Sequence, residues 1–209
     1  MLTIINYGVG NLGSISNMLS YLGVPHQISG HPHDIATAER LLLPGVGAFD
    51  YGMQKLKDSG LIAVLNKRVL DDKVPILGIC LGMQIMCRKS EEGELPGLAW
   101  FEADVKRFDL SKMEQALPVP HMGWNEAIKC RDHPVLLDLP IPARFYFVHS
   151  YHINCFNSEN ILMESRYGYK FTSAIARDNL VAVQFHPEKS HKFGLTILKK
   201  FSEWSYVPA

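Results

Sequence analysis

The stretch Val74–Cys87, VPILGICLGMQIMC, decides how the rest of the chain is organised. Its apolar first half is typical of a buried strand, and Met83–Met86 with the following Arg88 and Lys89 predicts a helix. Between these two segments, Gly78-Ile79-Cys80-Leu81-Gly82 carries one cysteine with a glycine two residues to either side. This spacing is typical of a nucleophile elbow with a thiol in place of the hydroxyl, a sharp strand-to-helix turn without room for side chains at the flanking positions.

The elbow would give Cys80 the environment of a nucleophile. Its sulfur would lie at a helix N-terminus, where unpaired backbone N–H groups and the helix dipole favour a thiolate. The N–H of Leu81 would point to the place where an oxyanion develops. A lone cysteine is more often a small buried apolar residue. The two glycines and the strand–helix context favour the nucleophile over that alternative.

Length and composition place few demands on the rest of the chain. With 209 residues, 47% of them hydrophobic, and no linker or repeat, we expect residues 1–209 to form a single domain. The formal net charge of zero gives no indication of nucleic acid or an anionic membrane as partner. The first residues lack a signal peptide, and no apolar run could span a bilayer. We expect a cytoplasmic protein with reduced thiols, because four cysteines are scattered without metal-ligand spacing: Cys80, Cys87, Cys130 and Cys155.

The first half of the chain alternates strands and helices. This alternation predicts a parallel, doubly wound sheet with helices on both faces. Ligands of such sheets bind at the carboxyl ends of the strands, where both the elbow and the turn Pro44-Gly45-Val46-Gly47 fall. The expected strands are Leu2–Tyr7, Val24–Ser29, Glu39–Leu43 and the elbow strand, and the expected helices are Asn11–Leu22, Asp50–Leu56 and Leu61–Leu70.

The turn Gly8-Val9-Gly10-Asn11-Leu12-Gly13 offers a different interpretation. It matches G-x-G-x-x-G after a strand and before a helix, the context of a dinucleotide site. The acidic residue expected at the end of the second strand is missing, because that strand ends in Ser29-Gly30 and Asp34 follows too late. We therefore favour a tight strand-to-helix turn near a functional edge over a nucleotide-binding oxidoreductase.

The second half is richer in strands with turn signals between them, and it predicts an antiparallel extension of the sheet. The chain closes on an amphipathic helix over Ser190–Trp204. The expected strands are Asp104–Phe108, Trp124–Ile128, Ala143–Ile153, Lys170–Ala176 and Leu180–Phe185, with Arg177-Asp178-Asn179 as a hairpin turn.

A thiol nucleophile needs a base, and the base needs a group that orients it. His186-Pro187-Glu188 follows an apolar strand directly, so these side chains project from a strand end as the elbow does. We expect a triad of Cys80, His186 and Glu188. The other histidines have weaker claims; His121, His149 and His152 lie in aromatic strands and are more often packing or interface residues.

Several motifs together resemble one family. They are Pro44–Gly47, the elbow with Met83 and Gln84, Ser90-Glu91-Glu92-Gly93, and His186-Pro187-Glu188-Lys189-Ser190. Their order and spacing resemble the class I (triad) glutamine amidotransferases, which have a flavodoxin-like α/β fold. Met83, the segment Pro120–Asn125 and the segment Phe147–His152 narrow the resemblance to HisH-type glutaminase subunits of imidazole glycerol phosphate synthase. The resemblance covers essentially the whole chain.

The resemblance implies hydrolysis of L-glutamine to glutamate and ammonia through a thioester on Cys80, without a cofactor or metal. It implies an oxyanion hole from the N–H groups of Leu81 and, after a peptide flip, Val46. It also implies a partner, a HisF-type (β/α)₈ barrel cyclase that uses the ammonia in histidine biosynthesis. The implied substrate-binding residues are Gly47, Gln84, Glu92, Ser150 and Tyr151, and the implied interface residues are Asn11, His121, Trp124, Asn125, Tyr146 and Lys189.

Two alternatives stay open at this point. Close relatives of such subunits serve sugar amidotransferases of surface-polysaccharide synthesis, which would keep the chemistry and change the partner. A non-catalytic interaction subunit would keep only the fold; the intact Cys80, His186 and Glu188 argue against it. The sequence departs mildly from the family at His191, where a small polar residue is common, and in the basic pair Arg88-Lys89.

Overall fold

The computed structural model describes residues 1–113, 115 and 117–207. Its centre is a block of five parallel strands in the order β2-β1-β3-β4-β13. This is the flavodoxin-like, doubly wound arrangement that the sequence predicts. The strands that build it are β1 (Leu2–Ile5), β2 (His26–Ser29), β3 (Arg40–Gly45), β4 (Ile76–Cys80) and β13 (Leu180–Val183).

Antiparallel strands from the second half extend this block, as expected. β12 pairs antiparallel with β13, β10 with β12, and β6 with β10, while the short β5 lies parallel at the far edge. β11 and β8 add to β12 at the side. The bounds are β5 (Lys89–Ser90), β6 (Ala103–Arg107), β8 (Ile128–Lys129), β10 (Tyr151–Cys155), β11 (Ile161–Tyr167) and β12 (Tyr169–Arg177).

Two further strands leave the main sheet. β7 (His121–Glu126) and β9 (Arg144–His149) pair antiparallel as a separate ribbon. The sequence predicts one strand over Ala143–Ile153, and that prediction is wrong in one respect. The chain breaks at Ser150, whose carbonyl accepts a hydrogen bond from the N–H of Phe108 at 3.1 Å. The break divides the predicted strand between the ribbon and the main sheet.

Helices cover both faces of the sheet, as the alternation in the first half predicts. Successive residues of the buried strands point to opposite faces of the sheet and contribute to two hydrophobic cores. Ile5 and Leu43 lie in the core under α3 and α4, whereas Ile4 and Leu42 lie in the core under α1 and α6. The helices are α1 (Leu12–Tyr21), α2 (Pro32–Thr37), α3 (Phe49–Asp58), α4 (Ile62–Asn66), α5 (Leu81–Ile85) and α6 (His191–Glu203), with a π-helical turn Lys67–Asp71 after α4. Within the described ranges, no helix has the length and apolar character needed to cross a membrane.

The helix after the elbow is shorter than the sequence predicts. α5 ends at Ile85, and Lys89 lies in β5 rather than in a helix. The carbonyl of Met86 accepts hydrogen bonds from the N–H groups of Trp100 and Phe101, at 2.9 and 3.0 Å. This tertiary pairing competes with a further helical turn. Arg88 instead reaches Asp104 across 3.1 Å, between its Nε and a carboxylate oxygen.

Candidate active site

The elbow has the strained geometry that its glycines predict. β4 ends at Cys80 and α5 begins at Leu81. Cys80 has φ 53° and ψ −109°, a conformation that L-residues rarely adopt, and 7% of its surface is exposed. A Cβ on Gly82 would collide with the carbonyl oxygen of Leu43, and one on Gly78 would collide with Met86. The glycines therefore allow the elbow to press against β3 and its own helix.

The turn after β3 is held beside Cys80 by Tyr7. The hydroxyl of Tyr7, in a side chain that is 4% exposed, donates to the carbonyl of Pro44 at 2.7 Å. Burial, and then the charge of the Cys80 thiolate, raise the pKa of Tyr7 well above its ordinary value, so that the hydroxyl stays a neutral donor. Gly10, at φ +110°, packs against the Pro44 ring. The Gly8–Gly13 turn thus packs against the Pro44–Gly47 turn. This placement agrees with a tight strand-to-helix turn near a functional edge, which we favour over a nucleotide site.

His186 and Glu188 form the expected pair at the end of β13. His186 Nδ1 lies 2.7 Å from a carboxylate oxygen of Glu188, and both side chains are 2% exposed. Burial lowers the pKa of His186, but the Cys80 thiolate and the Glu188 carboxylate outweigh it and raise the pKa to about 10. Nε2 is buried and makes no well-aligned hydrogen bond within the described part of the chain. This nitrogen is thus available for proton exchange with Cys80, whose charge helps to raise the pKa of the ring.

A cleft of about 520 Å³ joins these elements. It brings together every residue that the sequence analysis assigns to the oxyanion hole and to substrate binding. Glu188 lies behind His186 instead of in the wall. The cleft is lined by Val46, Gly47, Ala48, Cys80, Leu81, Gln84, Glu92, Pro120, Val148, His149, Ser150, Tyr151, His186 and Lys189.

The two polar side chains expected to hold the substrate's head group are anchored. A carboxylate oxygen of Glu92 accepts from the N–H of Phe49 at 2.9 Å. Burial raises the pKa of Glu92 and outweighs the lowering effect of that hydrogen bond. The Gln84 amide donates to the carbonyl of Tyr151 and to the side-chain oxygen of Gln184, each at 3.1 Å. Neither residue is the solvated surface side chain that its local sequence alone favours.

Two residues of the site escape the sequence analysis. Gln184 is fully buried, and its Nε2 lies 3.7 Å from the Cys80 sulfur. Tyr7 is the residue beneath the Pro44 carbonyl. The sequence does mark Gln184, as the single polar residue in the otherwise apolar run Leu180–Phe185. It does not mark Tyr7, which simply ends an apolar strand.

Of the six residues expected at a partner interface, all but His121 are exposed or half-buried, and Lys189 also lines the cleft. Asn11 and Lys189 are exposed, and Trp124 is 40% exposed and stacks on His191 with ring centroids 5.5 Å apart. The Lys189 ammonium lies 5.5 Å from the centre of the Tyr146 ring, a cation–π contact. His121 differs, since it is 3% exposed inside an aromatic cluster. Its side chain offers no open surface to a partner.

In the described parts of the chain, no three His, Cys, Asp or Glu side chains lie close enough together to hold a metal ion. The arrangement of groups supports acyl transfer: a sulfur on an elbow, an imidazole oriented by a carboxylate, and a backbone N–H at the start of α5.

Comparison with known proteins agrees with this chemistry. The sequence profile of the glutamine amidotransferase class-I family matches residues 3–203. The chain is 48% identical over 203 residues to imidazole glycerol phosphate synthase subunit HisH 2 of Pseudomonas aeruginosa, covering 97% of this chain and 99% of that protein. It is 42% identical over 202 residues to subunit HisH of Leptospira interrogans, covering 97% and 99%.

Solved structures show the same fold at low sequence identity. A glutamine amidotransferase crystal structure superposes with a TM-score of 0.72 at 16% identity, covering 97% of this chain and 99% of that one. The glutaminase domain of Trypanosoma brucei CTPS, with bound acivicin, gives a TM-score of 0.64 at 16% identity, covering 99% and 94%. The match of the family profile and the relatives at 42% and 48% identity decide the assignment: the chain belongs to the class-I glutamine amidotransferase family and, within it, to the HisH-type glutamine amidotransferases.

Proposed function

We propose that this chain is the glutaminase subunit of an imidazole glycerol phosphate synthase. It hydrolyses L-glutamine and passes the ammonia to a HisF-type (β/α)₈ barrel cyclase, which makes imidazole glycerol phosphate and aminoimidazole carboxamide ribotide in histidine biosynthesis. The observation that supports this most is one cleft that joins Cys80, the His186–Glu188 pair and Gln84 with Glu92. The chain acts as a single domain in this proposal, since both halves contribute strands to one sheet.

Cys80, His186 and Glu188 carry the two halves of the reaction. His186 takes the proton of the Cys80 thiol, and the sulfur attacks the side-chain amide carbon of glutamine. The resulting oxyanion accepts hydrogen bonds from the N–H of Leu81 and, after rotation of the preceding peptide, of Val46. His186 gives its proton to the departing nitrogen, so that ammonia leaves and a thioester remains. Water, deprotonated by His186, then cleaves the thioester to glutamate and restores the thiol. Glu188 holds the tautomer and orientation of the imidazole throughout.

The polar residues of the cleft select a free amino acid. The α-ammonium of glutamine needs an acceptor, and the anchored Glu92 carboxylate supplies one. Gln84 reaches the same head group from α5, and Gly47 brings backbone close to it. Ser150 and Tyr151, at the break between β9 and β10, close the other side. Substrate binding therefore draws on the main sheet, on the elbow helix and on the ribbon.

A partner is part of the proposal because ammonia released into water at neutral pH becomes ammonium, which is no nucleophile. The proposed contact surface consists of exposed and half-buried residues, of which Lys189 lines the cleft: Asn11, Trp124, Asn125, Tyr146 and Lys189. Aromatic side chains such as those of Trp124 and Tyr146 are enriched in protein interfaces. His121 belongs to this surface only through Asn125, whose amide nitrogen lies 3.2 Å from its ring.

The second candidate is the same glutaminase chemistry in the service of a sugar amidotransferase. The observation that favours it is that the two relatives at 48% identity both carry the numeral 2 in their names, in Pseudomonas aeruginosa and Methanococcus maripaludis. A second copy of a biosynthetic subunit is free to feed another acceptor.

The test is glutamate release from glutamine by the purified chain, alone and with the cognate cyclase and its ribonucleotide ligand. Strong stimulation by the ligand-bound cyclase, abolished in Cys80→Ser, supports the histidine pathway. No stimulation, together with alkylation of Cys80 by a glutamine-analogue electrophile, keeps the glutaminase and points to a different synthase, for which the sugar amidotransferase is the candidate. Absence of both turnover and alkylation in the assembled complex contradicts the glutaminase and leaves an interaction subunit.

A further inference from the structure

Two buried histidines of the ribbon have no part in the proposed reaction. His121 and His149 face each other across β7 and β9 and are 3% and 6% exposed. The His121 ring lies between the rings of Phe147 and Tyr167, with centroids 4.8 and 4.1 Å away. Burying a polar ring is costly unless its nitrogens are hydrogen-bonded. All four ring nitrogens of this pair have hydrogen-bond partners. Together these hydrogen bonds form a series that leads into the cleft.

The direction of every hydrogen bond in this series is fixed by the groups at its two ends. At the outer end, the Asn125 oxygen accepts from the N–H of Glu126 at 2.8 Å, so the Asn125 nitrogen is the atom 3.2 Å from His121 Nε2. That ring nitrogen must therefore be an acceptor, and the proton of His121 resides on Nδ1.

The tautomer of His149 is fixed in the same way. His121 Nδ1–H donates to His149 Nε2 at 3.0 Å, which leaves the proton of His149 on Nδ1. His149 Nδ1–H lies 2.8 Å from the carbonyl oxygen of Tyr151, which can only accept. Both ends demand the same tautomers. Burial keeps both rings neutral, since it lowers the pKa of His121 to about 4 and that of His149 well below its ordinary value.

This series of hydrogen bonds ends at Gln84. The carbonyl of Tyr151 accepts a second hydrogen bond, from the Gln84 amide nitrogen, whose other hydrogen goes to the oxygen of Gln184. Both amide hydrogens of Gln84 are thus used, and only its oxygen keeps free hydrogen-bonding capacity. An amide turned the other way would set its oxygen against the Tyr151 carbonyl. Gln84 therefore offers the cleft an acceptor and never a donor.

We propose that His149, held in its tautomer by His121, is a positioning residue that fixes the Tyr151 carbonyl and through it the orientation of the Gln84 amide for glutamine binding. The inference rests on the proposed function, since it assigns Gln84 to the substrate. It predicts that loss of the His149 nitrogens weakens recognition of the glutamine head group and leaves the reactivity of Cys80 intact.

The test compares two alkylating reagents on His149→Phe, which keeps a ring in the aromatic cluster and removes both nitrogens. A chloroketone analogue of glutamine needs the head-group site, whereas iodoacetamide needs only the thiol. We expect the half-saturating concentration of the analogue to rise about tenfold, equivalent to one hydrogen bond of about 1.4 kcal/mol. We expect the limiting rate and the iodoacetamide rate to stay within about twofold of wild type. His149→Asn, which retains an N–H donor for Tyr151, should recover most of the affinity.

The matched control is His152→Phe. His152 is the third buried histidine of this cluster, in contact with Phe108 as His149 is, but its ring nitrogens bind the Ile153 carbonyl and the Tyr169 hydroxyl. This variant should leave the half-saturating concentration unchanged. An equal rise in His152→Phe would mean that the effect is general loosening of the cluster, and it would overturn the proposal.

A measurement on the unaltered protein covers the case in which His149→Phe does not fold. In ¹⁵N-histidine NMR spectra, His121 and His149 should both be neutral with the proton on Nδ1; a proton on Nε2 of His149 would overturn the proposal. A wild-type chain without saturable labelling by the analogue would refute the proposed function and the inference together. Saturable labelling that is identical in wild type and His149→Phe would refute the inference alone.

Discussion

Gly45→Ala is the sharpest test of how β3 supports the elbow. A Cβ at position 45 would lie 2.8 Å from the Cβ of Leu81, 2.8 Å from the Tyr7 hydroxyl and 2.9 Å from the N–H nitrogen of Gly82. Carbon atoms in contact stay about 3.5–4.0 Å apart, so the elbow would have to retreat by about 1 Å. Overpacking of this kind costs about 1–3 kcal/mol, or about 2–12 °C in the melting temperature of a chain of this size.

The effect on catalysis should exceed the effect on stability. A displacement of about 1 Å at a reacting group can cost about 100-fold in rate, and Gly45 abuts the residue that follows Cys80. The assay is glutaminase turnover of the assembled complex with a parallel thermal melt. Gly13→Ala is the matched control, because a Cβ there meets no atom within 4 Å. If Gly45→Ala kept turnover within about twofold and melted with Gly13→Ala, the close approach of β3 to the elbow would not constrain the site, and this reasoning would be wrong.

Three further predictions concern the nucleophile and its neighbours. The Cys80 thiolate and, to a smaller extent, the Glu188 carboxylate outweigh burial and raise the pKa of His186 to about 10 from its ordinary 6.5. The stabilisation that the protonated imidazole gains from Glu188 is therefore complete below pH 6.5 and is lost as the pH rises towards 10. Glu188→Gln should therefore lower the melting temperature more at pH 6 than at pH 9.5; an equal loss at both values would contradict this linkage. Tyr7→Phe removes the donor to Pro44, and we expect turnover to fall about tenfold with KM within about threefold, since one buried hydrogen bond is lost beneath the oxyanion turn. Unchanged steady-state kinetics would mean that Pro44 needs no such support. Cys80→Ala should abolish glutamine-dependent synthesis, yet the assembled complex should still make product from high ammonium at raised pH; loss of the ammonium reaction as well would give Cys80 a role beyond ammonia release.

The local sequence is sufficient to locate the elbow and the pair His186–Glu188. Each is a short motif whose geometry follows from the chain next to it: Gly78 and Gly82 are required by the turn, and Glu188 reaches His186 two residues away. The parallel block follows equally from local signals, because strands β1, β3 and β4 are mostly apolar and their connections carry helices. These features depend on neighbours within a few residues, which is the range that sequence patterns describe.

The end of α5 and the split of Ala143–Ile153 could not be read in the same way. Both depend on partners far along the chain, the N–H groups of Trp100 and Phe101 in one case and that of Phe108 in the other. The strand β11 was not expected either, since Glu164 and Arg166 interrupt its apolar pattern, and its pairing with β12 is what makes it a strand.

By itself, the sequence determined the elbow, the His186–Glu188 pair and the family, because these rest on residue types at fixed short spacings. Only the tertiary structure decided which carbonyl Tyr7 supports, that Gln184 lies beside the Cys80 sulfur, and that His121 is buried rather than exposed at the rim. Each of these facts is a contact between segments more than 25 residues apart. Such contacts arise from how sheet, elbow and ribbon pack together, and packing is a property of the whole fold and not of any one segment.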